Sequence, residues 1–109
     1  PRTSVKLWRE MSEYLSRDTE TSQWLSGLLA STTRSFIRDG IADDQALVRN
    51  KAGWISEDGC YSTCDAGLID VDGYSYVMSI MTSMPWSDQS SEAVAAIAKA
   101  LYDVRSSLA

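Results

Sequence analysis

Histidine is absent from the 109 residues, phenylalanine occurs once, and proline and cysteine occur twice each. Without an imidazole no Ser-His-Asp or Cys-His arrangement can be assembled within the chain, and two cysteines fall short of the four ligands of a structural zinc. No run of Lys or Arg occurs and the formal net charge is −5, so the concentrated positive charge that a nucleic acid or an anionic membrane demands is missing. No stretch approaches the roughly 20 apolar residues of a membrane span, and the first residues carry no signal-peptide pattern. Internal repeats and low-complexity tracts are lacking. The chain opens on "PRTSVKLW" without an initiating Met, which reads as a mature product or an excised piece, with any targeting sequence expected upstream.

What is present suits a folded chain. Apolar residues make up 44% and include four tryptophans, enough for one core; the length is that of a single domain or a fragment of one. Helical spacing of Val5, Trp8, Met11 and Leu15 predicts a first helix over 3–17, capped by Thr3 or Ser4. Thr21 is a candidate cap for a second, with Trp24, Leu25, Leu28 and Leu29 as its apolar stripe. Phe36 and Ile37 anchor a brief third helix that Gly40 is expected to end.

The period then changes. Val48 to Ile55, Asp65 to Val71 and Tyr74 to Thr82 are rich in β-branched and aromatic residues, and the Asp-Gly of "VDGY" marks a two-residue hairpin between the last two. "SEDGCYST" reads as a longer polar loop joining the first strand to the second. After "MPWSDQSS", Ser87 or Asp88 caps a final helix whose stripe is Val94, Ile97, Ala98, Leu101, Val104 and Leu108. The expected class is therefore α+β: helices over about 1–46, then a three-stranded antiparallel meander and a long closing helix over about 47–109. One helix across such a sheet leaves its second face and an edge to be covered by something else.

The chemistry centres on "RNKAGWI", residues 49 to 55. A lysine on an open sheet edge guards against edge-to-edge pairing, and a glycine there can mark a bulge. Alternation places Arg49, Lys51, Gly53 and Ile55 on one face and Val48, Asn50, Ala52 and Trp54 on the other. Two cations beside a glycine make a natural approach for an anion. Cys60 and Cys64 are a candidate disulfide across a hairpin tip, which would place the protein in an oxidising compartment. Asp70 and Asp72 flank the tight turn, where turn chemistry accounts for Asp72. Trp8, Trp24 and the series Met78, Met81, Met84 are expected in the core, whereas Trp54 and Trp86 border the strand edge and a loop.

"NKAGWI", a loop, "DAGLIDVDGYSYVMSIMT" and a C-terminal amphipathic helix resemble the last part of the class A β-lactamase and penicillin-binding serine hydrolase family, and "TSVKLWREMSEYL" is similar to the helix that follows the Ω-loop there. In that family a Lys-Thr-Gly or similar triplet lies on a strand bordering the active site. The resemblance implies that Lys51 holds a substrate carboxylate and supports proton traffic, that Gly53 leaves room for substrate along the strand, and that the Trp54 backbone N–H is one of two oxyanion-hole donors. Ala52 stands where the family usually has Thr or Ser, whose hydroxyl also binds the carboxylate. The nucleophile motif Ser-x-x-Lys does not occur, Thr3-x-x-Lys6 being the nearest approach, and the Ser-Asp-Asn element is missing; "SDQ" at 87–89 follows the triplet and begins a helix. The implied function is that of the C-terminal portion of a serine hydrolase acting on a β-lactam or peptidoglycan-type peptide, inactive without an upstream part of the same protein, with no cofactor and no metal, in an extracellular, periplasmic or cell-envelope setting. A non-catalytic cell-envelope binding module and a homodimer of the segment are the alternatives.

Overall fold

The computed structural model describes residues 1–108. Its elements run α1 (Arg2–Leu15), α2 (Glu20–Ala30), α3 (Phe36–Ile41), β1 (Leu47–Glu57), β2 (Cys60–Val71), β3 (Tyr74–Thr82) and α4 (Asp88–Asp103), followed by a short 3₁₀ turn over Arg105–Leu108. This is the α+β order expected from the sequence: helices, a three-stranded antiparallel sheet in the order β1-β2-β3, and a C-terminal helix.

The sheet's two faces are both covered. On one, Val48, Ala52, Ile69, Val71, Met78 and Ile80 pack with Phe36, Ile37 and Ile41 of α3 and with Val94, Ala98 and Tyr102 of α4. On the other, Ala66 and Leu68 pack with Trp8 and Leu15 of α1, flanked by Leu25 and Leu29 of α2. The expectation of an uncovered second face is thus corrected: α1 and α2 fold back over it. Only one side of α2 turns inward, so Leu25 and Leu29 are half-buried while Trp24 and Leu28 of the expected stripe are exposed. Trp24 is not a core residue, and Met81 is likewise exposed, whereas Met78 is buried. The inward face of α4 is Val94, Ala98 and Tyr102, a spacing of four; Ile97, Leu101, Val104 and Leu108 of the expected stripe are exposed.

Local chemistry sets the ends of the helices. Pro1 precedes α1 without a side-chain cap, so Thr3 and Ser4 lie inside the first turn rather than capping it. Thr19, not Thr21, caps α2 in a reciprocal arrangement with Ser22, and Ser87 caps α4 in the same way with Ser90. Gly40 does not end α3, which continues to Ile41 and closes on Ala42 at φ 48°. Its role is contact: a Cβ on Gly40 would fall 2.0 Å from the Ala95 carbonyl oxygen of α4. Gly67 serves likewise between strands, where a Cβ would fall 2.2 Å from the Arg49 carbonyl oxygen.

The longer loop expected from "SEDGCYST" is a tight hairpin instead. Glu57 pairs with Cys60 across Asp58 and Gly59, and the positive φ that closes this two-residue turn falls on Gly59, at 78°, a conformation glycine adopts without steric cost. Cys60 and Cys64 consequently lie four positions apart on one extended strand, about 13 Å at the rise of a β-strand, and both are free thiols. That corrects the candidate disulfide, which requires α-carbons within about 7 Å.

Candidate functional site

β1 is an outer strand, and its register with β2 runs residue for residue from Leu47 opposite Asp70 to Glu57 opposite Cys60, with no bulge at Gly53. The Val48 carbonyl accepts from Arg38 Nη2 at 2.9 Å and so points off the open edge. The two-residue alternation of an antiparallel ladder turns the N–H and C=O of Asn50, Ala52 and Trp54 the same way. The Lys51 ammonium curls over that edge and donates to the Ala52 carbonyl. Lys51, the Ala52 backbone and the Trp54 N–H therefore meet along one unpaired stretch of strand.

Facing this stretch is the loop between α2 and α3. Thr32, Thr33 and Arg34 form one wall of a groove of about 250 Å³ whose other wall is Lys51, Ala52 and Trp54. Two cations and no carboxylate line it, in a chain with a net charge of −5. Such a groove selects for an anionic ligand, and the free edge can hydrogen-bond an extended amide. At Gly53 a Cβ would meet nothing within 4 Å, so this glycine is not demanded by packing and leaves the strand's surface open. Ala52 is different: its methyl group is buried in the core, and the hydroxyls that line the groove belong to Thr32 and Thr33.

Beneath the groove lies a buried polar network that sequence reasoning did not foresee. Thr32 Oγ1 donates to Asn50 Oδ1 at 2.5 Å, and Asn50 Nδ2 donates to Asp65 Oδ1 at 2.8 Å and to the Arg34 carbonyl at 3.2 Å. Asp65 Oδ2 accepts the Ile37 N–H at 3.0 Å. Arg38 donates to the Thr32 and Ala30 carbonyls, each at 3.0 Å. Asn50 and Asp65 are fully buried; burial pushes the Asp65 carboxyl above its ordinary range, against the lowering effect of the Asn50 and Ile37 hydrogen bonds. The network clamps the groove's two walls together, because Thr32 and Arg34 are on one and Asn50 sits next to Lys51 on the other. A visible signal was the polar Asn50 on the face that Val48 and Ala52 bury.

The remaining candidates are placed elsewhere. Arg49 leaves the anion-facing set: it pairs with Asp70 and donates to Ser26 Oγ of α2 at 3.1 Å. Asp72, at φ 55° in the turn, accepts from Arg105 at 2.9 Å. Lys51, Gly53 and Cys64 also border a mostly apolar cleft of about 480 Å³ between the sheet and Ser4, Leu7, Trp8, Met11 and Leu29. Cys64 Sγ lies 2.9 Å from Ser62 Oγ there.

Comparison with known families places the chain. The model of the Beta-lactamase enzyme family, Beta-lactamase2, matches residues 1–104. The chain belongs to that family and is a β-lactamase-like hydrolase at the family level. No curated protein and no solved structure matches it.

Proposed function

We propose that this chain supplies one wall of the active site of a serine acyl-transfer enzyme that opens a β-lactam or a peptidoglycan-type peptide. The observation that carries the reading is the cationic groove on the open edge of β1, in a chain matched to the family over residues 1–104. Lys51 would hold the substrate carboxylate and ease proton transfer at the nucleophile, and the outward Trp54 N–H would donate to the developing oxyanion. Gly53 leaves space for the substrate backbone along the strand. Thr33, which is exposed beside Lys51 in the groove, would supply the hydroxyl that Ala52 lacks. A charge-assisted hydrogen bond of that kind contributes about 1.5 to 3 kcal/mol.

The acyl step needs a serine nucleophile and its base, and no Ser-x-x-Lys tetrad occurs in these 109 residues. The nucleophile is assigned to an upstream part of the same protein, and the segment alone is inactive. The serine oxygen would add to the carbonyl carbon, its proton passing to the base. The C–N bond would then break with the nitrogen protonated, and water would release the acyl group. An extracellular, periplasmic or cell-envelope location fits such substrates.

Labelling by a fluorescent penicillin tests the reading. The full-length gene product should acylate, the 109-residue segment should not, and Lys51→Ala in the full-length protein should cut labelling by at least a hundredfold. Normal labelling without Lys51 would exclude the assignment. Absence of labelling in every form would favour a non-catalytic binding module on the same scaffold, a reading that the buried methyl of Ala52 supports.

A further inference from the structure

The proposed chemistry uses Trp54 through its backbone alone, yet its side chain is held in place at the surface. Trp54 and Trp86 are 40% and 41% exposed, and their rings stack with centroids 4.8 Å apart and planes inclined by 25°. Trp86 belongs to the loop between β3 and α4, which is tied back to the sheet twice. Its N–H donates to Ser56 Oγ at 2.8 Å, and Thr63 Oγ1 donates to the Met84 carbonyl at 2.9 Å. The Arg34 guanidinium lies over the Trp86 ring, 5.4 Å from its centroid, so the α2–α3 loop braces the stack as well.

Trp54 lines the groove and Trp86 does not, so Trp86 acts as the backing that fixes the orientation of Trp54. A half-exposed indole already immobilised by the protein is a preorganised surface, because a ligand ring that lies on it need not order it first. The α-carbons of Lys51 and Trp54 are three residues apart along the strand, about 10 Å at the rise of a β-strand, with the Lys51 ammonium turned to the Ala52 carbonyl between them. An extended acyl-dipeptide spans that distance between its terminal carboxylate and a ring on its acyl group.

We propose that the Trp54 side chain, backed by Trp86, is a ring-binding subsite, and that the groove takes a carboxylate-bearing acyl-amide whose acyl group carries an aromatic ring. This rests on the reading of the groove as an acyl-amide site and narrows its substrate class. The specificity it confers lies in the side chains of Trp54 and Trp86, separate from the role of the Trp54 N–H.

The test is calorimetric titration of the full-length protein with N-phenylacetyl-D-alanyl-D-alanine and N-acetyl-D-alanyl-D-alanine, which differ only by the phenyl ring. The ratio of the two affinities is the readout. In the unmodified protein the phenylacetyl peptide should bind roughly three- to tenfold more tightly, the range expected of one aromatic contact. Trp86→Ala should lower that ratio, and Trp54→Leu, which retains the backbone N–H, should bring it to about one; near-ultraviolet circular dichroism of each variant reports loss of the stacked pair in an otherwise folded protein. Equal affinities in the unmodified protein, or a ratio that survives Trp54→Leu, overturns the subsite and leaves the groove reading standing, provided Lys51→Ala still weakens the acetyl peptide. If neither peptide binds, or Lys51→Ala leaves the acetyl peptide unaffected, the groove reading fails and the subsite falls with it.

Discussion

Asn50 Nδ2 lies 2.8 Å and 3.0 Å from the two carboxylate oxygens of Asp65, and both residues are buried between β1, β2 and the loop that faces Lys51. This pairing joins the core to the groove. It also commits the fold to burying a carboxyl group that only hydrogen bonds, and no direct ion pair, accommodate among the described residues.

The first prediction concerns Asp65 itself. Asp65→Ala would strand the Ile37 N–H and the Asn50 amide, each a buried group whose unmet hydrogen bond costs about 1 to 3 kcal/mol. Urea denaturation should show a loss of that order or larger, with Asp65→Asn much milder. Equal stabilities for Asp65→Ala and the unmodified protein would mean that the network contributes nothing.

The same carboxyl gives stability a pH dependence. Its folded-state pKa is raised by burial, so the native state holds the Asp65 proton more tightly than the unfolded chain does. The corresponding stability is fully present below the unfolded value of about 3.9 and is lost as pH rises through the folded one. Asp65→Asn should flatten that part of the stability profile. An unchanged profile in the variant would assign the effect to other groups.

Glycine substitutions should separate architecture from site. Gly40→Ala and Gly67→Ala place a methyl group 2.0 Å and 2.2 Å from backbone oxygens of α4 and β1, so each should cost about 3 kcal/mol, the upper end of the range for overpacking. Gly53→Ala meets nothing within 4 Å and should leave the melting temperature unchanged or slightly raised. Its effect should fall on ligand binding at the β1 edge, measured by acylation or by peptide titration. A Gly53→Ala protein that is destabilised like the other two would contradict the open geometry of this strand.

Tyr102 should titrate late in a spectrophotometric titration. Burial, together with the hydrogen bond its hydroxyl donates to Asp43 at 2.5 Å, pushes it up to about 12, and Arg105 lies over its ring at 3.9 Å. Because its folded pKa is raised, this contribution is intact below the ordinary tyrosine value of about 10 and is lost as pH climbs through the folded one. One late-titrating phenol that Tyr102→Phe removes is the expected result. Loss of the late phase with Tyr74→Phe instead would place it wrongly.

Both thiols should be open to alkylation without prior reduction, Cys60 faster because it is exposed while Cys64 is half-buried beside Ser62. Intact mass after treatment with iodoacetamide reads this directly. A protein that takes up no label until reduced would restore an intrachain disulfide and require a different β1–β2 hairpin.

Order and type of the elements were legible in the sequence because they depend on near neighbours. The change from helical to two-residue spacing near Val48, the Asp-Gly at 72–73 and the serine at 87 each act within a few positions. Lys51, Gly53 and Trp54 could be singled out for the same reason, since alternation and a short motif put them on one strand. The second Asp-Gly, at 58–59, also turns the chain in two residues, with positive φ at Gly59 and not at Asp58, whereas Asp72 and Gly73 both have it; it was hidden by the polar residues around it, which resemble a loop, although Cys60 to Thr63 continue the strand.

Tertiary structure decided what those elements meet. That α1 and α2 return to cover the second face of the sheet, that Trp24 faces outward while Leu25 faces in, and that Gly40 and Gly67 are points of close approach depend on chain segments distant in sequence. The groove is of this kind: residues 32–34 and 51–54 become its walls only because Asn50 and Asp65 hold β1 and β2 against the α2–α3 loop. The stack of Trp86 on Trp54 joins positions more than thirty residues apart. By itself the sequence determined the local conformations and the residue types on the open edge, since those follow from backbone sterics and side-chain period. Which side chains share that edge was settled by packing, because burial of apolar surface and pairing of buried polar groups are satisfied only by the whole chain at once.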